Sequence, residues 1–301
     1  MRALGLLLGF AADRLLGDPA RLHPVAGFGT TAAALERHLY ADSRARGIAH
    51  TAVLVGGAVA LGVAAERVAP RTLVTAAATW AVLGGRSLER EAAAVDGFLS
   101  AGDLPGARQR LTHLVGRDTV ELNASEVARA VVESVAENAS DAVVAPLVWG
   151  ALAGVPGLLG YRAANTLDAM VGHHNARYER YGWASARLDD LLNLPGSRLT
   201  GLLAIALGGD PSGAWRAWRR DAAGHPSPNA GVAEATFAGA LGVRLGGTNT
   251  YYGSRVEHRP TMGEGRAPEP ADVARATALA RRVGVGAAVV AAAVALTRRT
   301  R

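Results

Sequence analysis

The chain has 301 residues, half of them hydrophobic and 19% charged, with a mean hydropathy of +0.14, a balance that suits several membrane-associated helices. All 32 basic residues are arginines; the missing lysine excludes Schiff-base chemistry and a lysine-bearing phosphate loop. There is no cysteine, so disulfides and thiolate metal sites are excluded too, and the net charge of +6 is spread through the polar segments without the basic runs that nucleic-acid binding would need.

The apolar content is mostly Ala, Val and Leu, which favours helix over strand. Residues 3–12 form a short apolar stretch. Asp13-Arg-Leu-Leu-Gly-Asp-Pro19 continues from it at once, so it reads as a retained membrane-associated helix and not as a cleaved signal peptide. Residues 48–65 carry no formal charge, close to the shortest length that spans a bilayer. Residues 72–85 form a shorter uncharged run, and the polar turn at 66–71 between them predicts a helical hairpin. Arginines cluster on both flanks of this hairpin and are few in its turn, which places the turn outside and the flanks in the cytoplasm.

From Arg86 to Asp141 the pattern is amphipathic and helical. Asn123-Ala-Ser-Glu126 resembles a capping box with Asn in the usual Ser or Thr place. Glu133, Glu137 and Asp141 recur at i, i+4 and i+8, which predicts three carboxylates on one helical stripe. A solvated acidic face is the alternative, but the stripe runs into an apolar segment. Residues 142–161 are twenty residues without charge, interrupted by Pro146, Gly150, Gly154, Pro156 and Gly157. A simple crossing would separate Asp141 from Asp168, so a re-entrant segment is expected, its broken backbone covered by protein. Residues 199–209 are too short to span alone. Pro268 and Pro270 mark a linker to the last apolar run, 283–297, flanked by Arg281-Arg282 and Arg298-Arg299.

The expected fold is therefore all-α: a polytopic integral membrane protein with four to six membrane-associated helices and amphipathic helices on the cytoplasmic side. One membrane-embedded domain over 1–301 is expected, with an N-terminal motif region (1–47), the hairpin (48–85), central and C-terminal motif blocks (86–260), and a linker with the last helix (267–301).

Several clusters carry chemistry. They are Val115-Gly-Arg-Asp-Thr119, Arg162-Ala-Ala-Asn-Thr-Leu-Asp168, His173-His174-Asn175, Arg187-Leu-Asp-Asp-Leu-Leu-Asn193, His225-Pro-Ser-Pro-Asn-Ala-Gly231 with Glu234, and Gly246-Gly-Thr-Asn-Thr-Tyr-Tyr-Gly253. Carboxylates and carboxamides beside a membrane-length run are costly to place there and mark a site. The adjacent histidines point to different helix faces and make a poor metal pair. His225 before Pro226 also suits a plain turn, and the Gly246-Gly247 pair is a weak phosphate loop.

Together with the opening Asp13–Pro19 and His23-Pro-Val-Ala-Gly27, these motifs resemble the adenosylcobinamide-phosphate synthase family of cobalamin biosynthesis, CobD/CbiB, over about residues 1–260. The resemblance implies a multi-pass enzyme of the cell membrane with its active site on the cytoplasmic side. It implies amide ligation of aminopropanol, free or as its O-phosphate, to the propionate of adenosylcobyric acid, an adenosylcorrinoid, with ATP and Mg²⁺. Under that reading Asp141 and Asp168 are expected to hold the metal. Asp189 or Asp190 is expected to act as general base, with Glu137 a further catalytic carboxylate. Arg117 and Arg162 are expected to bind phosphate, Asn138, Asn165 and Asn229 to orient amides around the corrin, and His225 and Glu234 to face substrate. Implied partners are the bilayer, the small-molecule substrates and other late cobalamin-pathway membrane enzymes. A transporter and a non-catalytic scaffold are the competing classes.

Overall fold

The computed structural model describes residues 2–18, 23–173, 175–251 and 255–298. Pro19 of the opening motif, His174, Tyr252-Gly253 and Arg299 lie outside the described residues. In chain order the helices are α1 (Arg2–Leu16), α2 (Pro24–Leu39), α3 (Arg44–Val68), α4 (Arg71–Val82), α5 (Gly85–Ser100), α6 (Leu104–Leu111) and α7 (Ala124–Ala139). After a π turn (Ser140–Val144) come α8 (Ala145–Val171), α9 (Trp183–Leu207), α10 (Pro211–Asp221) and α11 (Ala230–Leu241). A β-hairpin, β1 (Leu245–Tyr251) and β2 (Arg255–Met262), precedes α12 (Ala271–Thr297).

The chain divides into two compact units. Met1–Gly84, Asp141–Gly196 and Ala287–Arg301 form the first; Gly85–Ser140 and Ser197–Gly286 form the second. Composition suggests one domain. Each unit is assembled from non-contiguous stretches, so no linker-like boundary separates them in sequence.

In the first unit α1 packs on α4, and α2, α3 and α4 pack on α8. Gly5 and Gly9 of α1 meet Thr75 and Thr79 of α4 so closely that added methyl groups would overlap them, the small-residue spacing that lets membrane helices approach. On α3 the buried positions are Gly47, His50, Thr51, Leu54 and Gly62, while Ile48, Val53, Val59 and Leu61 face outward. Polar-inward and apolar-outward is the reverse of a helix in water and matches a lipid surround. Three helical stretches, Arg44–Val68, Ala124–Val171 and Ala271–Thr297, are long and apolar enough to cross a membrane.

The second of these is not one straight rod. Gly154 has φ 71° and ψ −148°, and the chain doubles back there. The Tyr161 hydroxyl donates to the Asp141 carbonyl at 3.1 Å. Twenty residues of straight helix would hold those two about 30 Å apart. Gly150 faces Leu158, and Gly157 faces the Trp149 carbonyl. The tip is closed by side chains. Glu66 Oε1 accepts from the Val155 N–H at 2.9 Å, while Arg2 and Arg298 donate to the carbonyls of Ala151 and Leu152 at 3.4 and 3.0 Å. These groups satisfy the backbone that a break would leave orphaned. The expected fold-back is thus present, and its first limb, about 18 Å for residues 142–153, is well short of the roughly 30 Å hydrocarbon layer.

In the second unit α5, α6 and α7 pack together, and α11, buried along its whole length, packs on α7 and α10. The expected capping box opens α7: Asn123 Oδ1 accepts from Glu126 N at 3.0 Å, and Glu126 Oε2 accepts from Asn123 N at 2.8 Å. The β-hairpin is an addition to the all-α expectation. The Gly246-Gly247 pair lies in its first strand, not in a phosphate loop; both have positive φ, and the pairing register shifts between Leu245 and Gly247. A side chain on Gly247 would press on the Arg129 guanidinium, which donates to the Gly246 and Thr248 carbonyls.

Candidate functional site

Two polar clusters sit within this apolar framework, one in each unit. In the first, Asp141 emerges from the π turn, a distortion often found at functional sites. Its Oδ1 accepts a hydrogen bond from Asn193 Nδ2. Asp189 lies one turn before Asn193 on α9, on the same face, and its Oδ1 accepts from Asn165 Nδ2 at 3.3 Å. Asn165 Oδ1 in turn accepts from Arg162 Nη1 at 3.2 Å. The first part of α9 is fixed against the first limb of the fold-back. Trp149 Nε1 donates to the Leu192 carbonyl at 2.7 Å, and Gly196 meets Ala145 closely enough to exclude a side chain.

The charges of Asp18, Asp141 and Asp189 all act on Arg162. Asp141, Asp189 and, more weakly, Asp168 act on the Tyr161 hydroxyl. Several carboxylate charges thus converge on the Arg162–Tyr161 region of α8. Among the described residues no three His, Cys, Asp or Glu side chains form a ready-made metal cage. The donor set fits the open type of Mg²⁺ site, in which one or two carboxylates hold the ion and water and substrate phosphates complete its shell. Asp168 folds its carboxylate toward Gly172 at the end of α8, at the margin of the cluster. Arg162 has a second environment: it is the one charged residue lining a cleft of about 320 Å³ whose walls are apolar side chains of α2, α3, α4 and α8. Its Nε is buried without a hydrogen-bond partner among the described residues.

The adjacent aspartates separate. Asp189 is 7% exposed and joined to the cluster, while Asp190 turns toward Arg187 at 3.8 Å, its side chain partly exposed. Adjacent helix positions point about 100° apart, which sends Asp189 toward Asn165 and Asp190 toward Arg187.

In the second unit Arg117 Nη2 lies 2.6 Å from Glu133 Oε2 in an ion pair that is almost wholly buried. Glu133 Oε1 also accepts from Gly246 N at 2.9 Å. The carboxylate stripe is therefore divided: Glu133 is bound to Arg117, whereas Asp141, in the wider π turn, is bound to Asn193. Glu234, 1% exposed on α11, has no hydrogen bond on either carboxylate oxygen among the described residues and lies 3.6 Å from His225 Nε2. Burial pushes the Glu234 carboxyl well above the usual carboxylate range. The charges of Glu133 and Glu137 push it further, against Arg259 and Arg117. His225 Nδ1 accepts from Ser227 N at 3.0 Å, so His225 does shape the turn. Asn229 Oδ1 accepts from Ser197 Oγ at 2.9 Å and Arg198 Nη1 at 2.8 Å. Asn138 Nδ2 donates back to the Ser134 carbonyl at 2.9 Å.

Of the residues expected at a site, Asp141, Asp168, Asp189, Arg162 and Asn165 gather in the first unit, with Asp190 beside them but turned away. Arg117, Glu137, Asn138, His225, Asn229 and Glu234 belong to the second. The sequence pattern assigned no site role to Tyr161 or to the capping Glu66, and Asp18 stood in the opening motif without a role of its own. Asn193 lay in a quoted motif, and its i+4 spacing from Asp189 was the signal that would have found it.

A helical, lipid-compatible framework with carboxylates and amides held inside it defines an all-α membrane protein with an embedded polar site. The family model described as "CobD/Cbib protein" matches residues 6–280. The chain is 52% identical over 297 residues to "Cobalamin biosynthesis protein CobD" of Mycobacterium tuberculosis, covering 96% of this chain and 95% of that one. It is 43% identical over 298 residues to the protein of the same name from Rhodobacter capsulatus, covering 95% of each. It is 45% identical over 287 residues to the one from Geobacter metallireducens, covering 90% of each. No solved structure matches. The chain belongs to the CobD/CbiB family of cobalamin biosynthesis proteins.

Proposed function

We propose that this chain joins aminopropanol, as its O-phosphate, to adenosylcobyric acid in an ATP-dependent amide ligation at the cytoplasmic side of the cell membrane. The observation that carries this reading is the part-buried chain Asp189–Asn165–Arg162 beside Asp141 in a protein of cobalamin biosynthesis. A transported solute needs binding groups, but a buried carboxylate held in one orientation by an amide is what proton removal from an attacking amine needs.

The corrin propionate is a poor electrophile. Attack of its oxygen on the γ-phosphorus of ATP forms an acyl phosphate and releases ADP. The amine then attacks the acyl carbon, Asp189 takes its proton, and phosphate leaves. Arg162, with its unpartnered Nε, binds the phosphate of the aminopropanol substrate, and its fork suits that group. The cleft it lines, about 320 Å³, has room for a small molecule and is far too small for a corrin. Asp141 and Asp168 would hold Mg²⁺, which supplies neutralisation of the nucleotide's phosphate charge. Asn165 and Asn193 keep the two inner carboxylates oriented.

The test is the purified protein in detergent with adenosylcobyric acid, aminopropanol phosphate and Mg-ATP. A corrin product of the added mass of aminopropanol phosphate is expected; corrin binding without product moves the assignment to a carrier or scaffold. Asp168→Asn should abolish turnover with the protein still folded, and near-normal activity removes Asp168 from the site.

A further inference from the structure

We infer that the second unit carries a separate binding site for a phosphate-bearing anion, in the pocket bounded by Arg198 of α9, Trp218 and Arg219 of α10, and the His225–Pro228 turn. Its volume, about 520 Å³, is in the range of small-molecule sites. Two arginines line it and no carboxylate does. Among the described residues Arg198 is held in place by neutral acceptors: Nη1 donates to Ser197 Oγ at 2.9 Å, Asn229 Oδ1 at 2.8 Å and the Pro228 carbonyl at 3.1 Å. Its position is fixed while its charge is not cancelled. Arg219 stands over the Trp215 ring, 5.7 Å from the centroid, on the exposed side of α10. Planar guanidinium groups of this kind bind phosphate oxygens in pairs.

The walls are built to stay open. A side chain on Gly201 would come within 2.8 Å of the Trp218 indole, so the glycine lets that ring pack close against α9. Pro226 and Pro228 supply the facing apolar surface. Two cations and a fixed aromatic face suit a nucleotide, whose base stacks while its phosphates meet the arginines. They also suit the phosphate of a lipid headgroup, since Trp and Arg on one helix are common at membrane interfaces. The shared chemistry is the phosphate group. The inference deepens the ligase reading and rests on it for the nucleotide, which no loop in the sequence announces.

The experiment uses the full chain in detergent, without corrin or Mg²⁺. Tripolyphosphate and ATP are titrated against tryptophan fluorescence. A second arm measures capture of the protein on phosphatidylcholine nanodiscs with and without phosphatidylglycerol. The variants are Arg219→Gln, which removes an exposed side chain and should fold, and Arg198→Lys, which keeps a cation but not the fork. Arg216→Gln on the same helix is the control, since Arg216 lies outside this pocket. We expect each of the first two to weaken tripolyphosphate and ATP binding at least tenfold, with Arg216→Gln like wild type. The same pattern seen only with phosphatidylglycerol nanodiscs also supports the site and assigns the headgroup as its ligand. Equal binding by wild type and both variants in both arms overturns the inference, as does wild-type protein that binds neither probe. Intact anion binding without amide formation counts against the ligase reading and leaves this site standing.

Discussion

Gly154→Ala isolates the turn that brings Asp141 back to Tyr161. At φ 71° and ψ −148° the residue occupies a region that is almost restricted to glycine, and an alanine held there costs about 1–3 kcal/mol. The added Cβ would overlap Glu66 Oε1 and come within 2.8 Å of Arg2 Nη2. Glu66 must then release the Val155 N–H, a charge-assisted bond worth about 1.5–3 kcal/mol in place and lost without compensation in apolar surroundings. The two effects together come to roughly 2.5–6 kcal/mol, or a fall in Tm on the order of 5–20 °C. Gly56→Ala is the matched control. It lies within α3, nothing stands within 4 Å of its added Cβ, and helix propensity alone would stabilise it by up to about 1 kcal/mol. Scanning fluorimetry of the two variants in one detergent gives the comparison. A Gly154→Ala protein that melts with Gly56→Ala would refute the fold-back as the structural basis of the site.

Three further outcomes follow from the clusters. Asp189→Asn should lower turnover by about 10²–10⁴ while retaining substrate binding, and Asp190→Asn should stay within severalfold of wild type; equal losses would mean the face assignment on α9 is wrong. Arg117→Ala should destabilise by about 3–5 kcal/mol, because it leaves Glu133 charged and buried, and Arg117→Ala with Glu133→Gln should recover much of that; chemical denaturation of all three proteins measures it. Glu234 faces Glu133 and Glu137 of α7, Arg117, Arg259 of β2 and His225, and its folded pKa is raised. The native state therefore holds this proton more tightly than the unfolded chain. Stability from Glu234 is full below the unfolded value near 4.5 and is lost as pH rises toward the folded value. Melting from pH 5 to 9 should show Glu234→Gln losing less stability than wild type; parallel curves would remove the effect.

Much of the first unit was legible because local rules and tertiary structure agree there. The cluster of Gly and Pro in 142–161 announced a broken apolar helix, and Gly154 is where the chain turns. In the second unit the capping box at Asn123–Glu126 is likewise a short-range hydrogen-bond pattern, and it formed as spaced. The partners that close the break were not legible: Arg2, Glu66 and Arg298 lie far from it in sequence. The same applies to Arg117, expected to bind phosphate, which lies 2.6 Å from Glu133, sixteen residues on and in α7. The β-hairpin was missed because residues 245–262 lack a clear alternation of apolar and polar side chains. The stripe of Glu133, Glu137 and Asp141 assumed 3.6 residues per turn throughout, and the π turn breaks that period where Asp141 begins.

The partner that a buried carboxylate keeps separates its chemical roles. Glu133 rests on Arg117, and Asp272, with no exposed side chain, rests on Arg266 at 2.7 Å and on Arg275 at 2.5 Å. In such pairs the charge is cancelled and removing one member leaves the other stranded, which makes them structural. Asp141 and Asp189 are held by the amides of Asn193 and Asn165. An amide N–H meets one lone pair and fixes the carboxylate's direction, but brings no positive charge. Arg162 donates to the Asn165 amide, which in turn donates to Asp189, so the guanidinium steadies the amide that orients the carboxylate. The proposed ligation would use this difference: in a chain without lysine a guanidinium must meet the phosphate, and Arg162 is the one steadied by an amide. A neutral amide fixes the direction of the groups it joins, whereas the direct contacts of Glu133 and Asp272 set charge against charge.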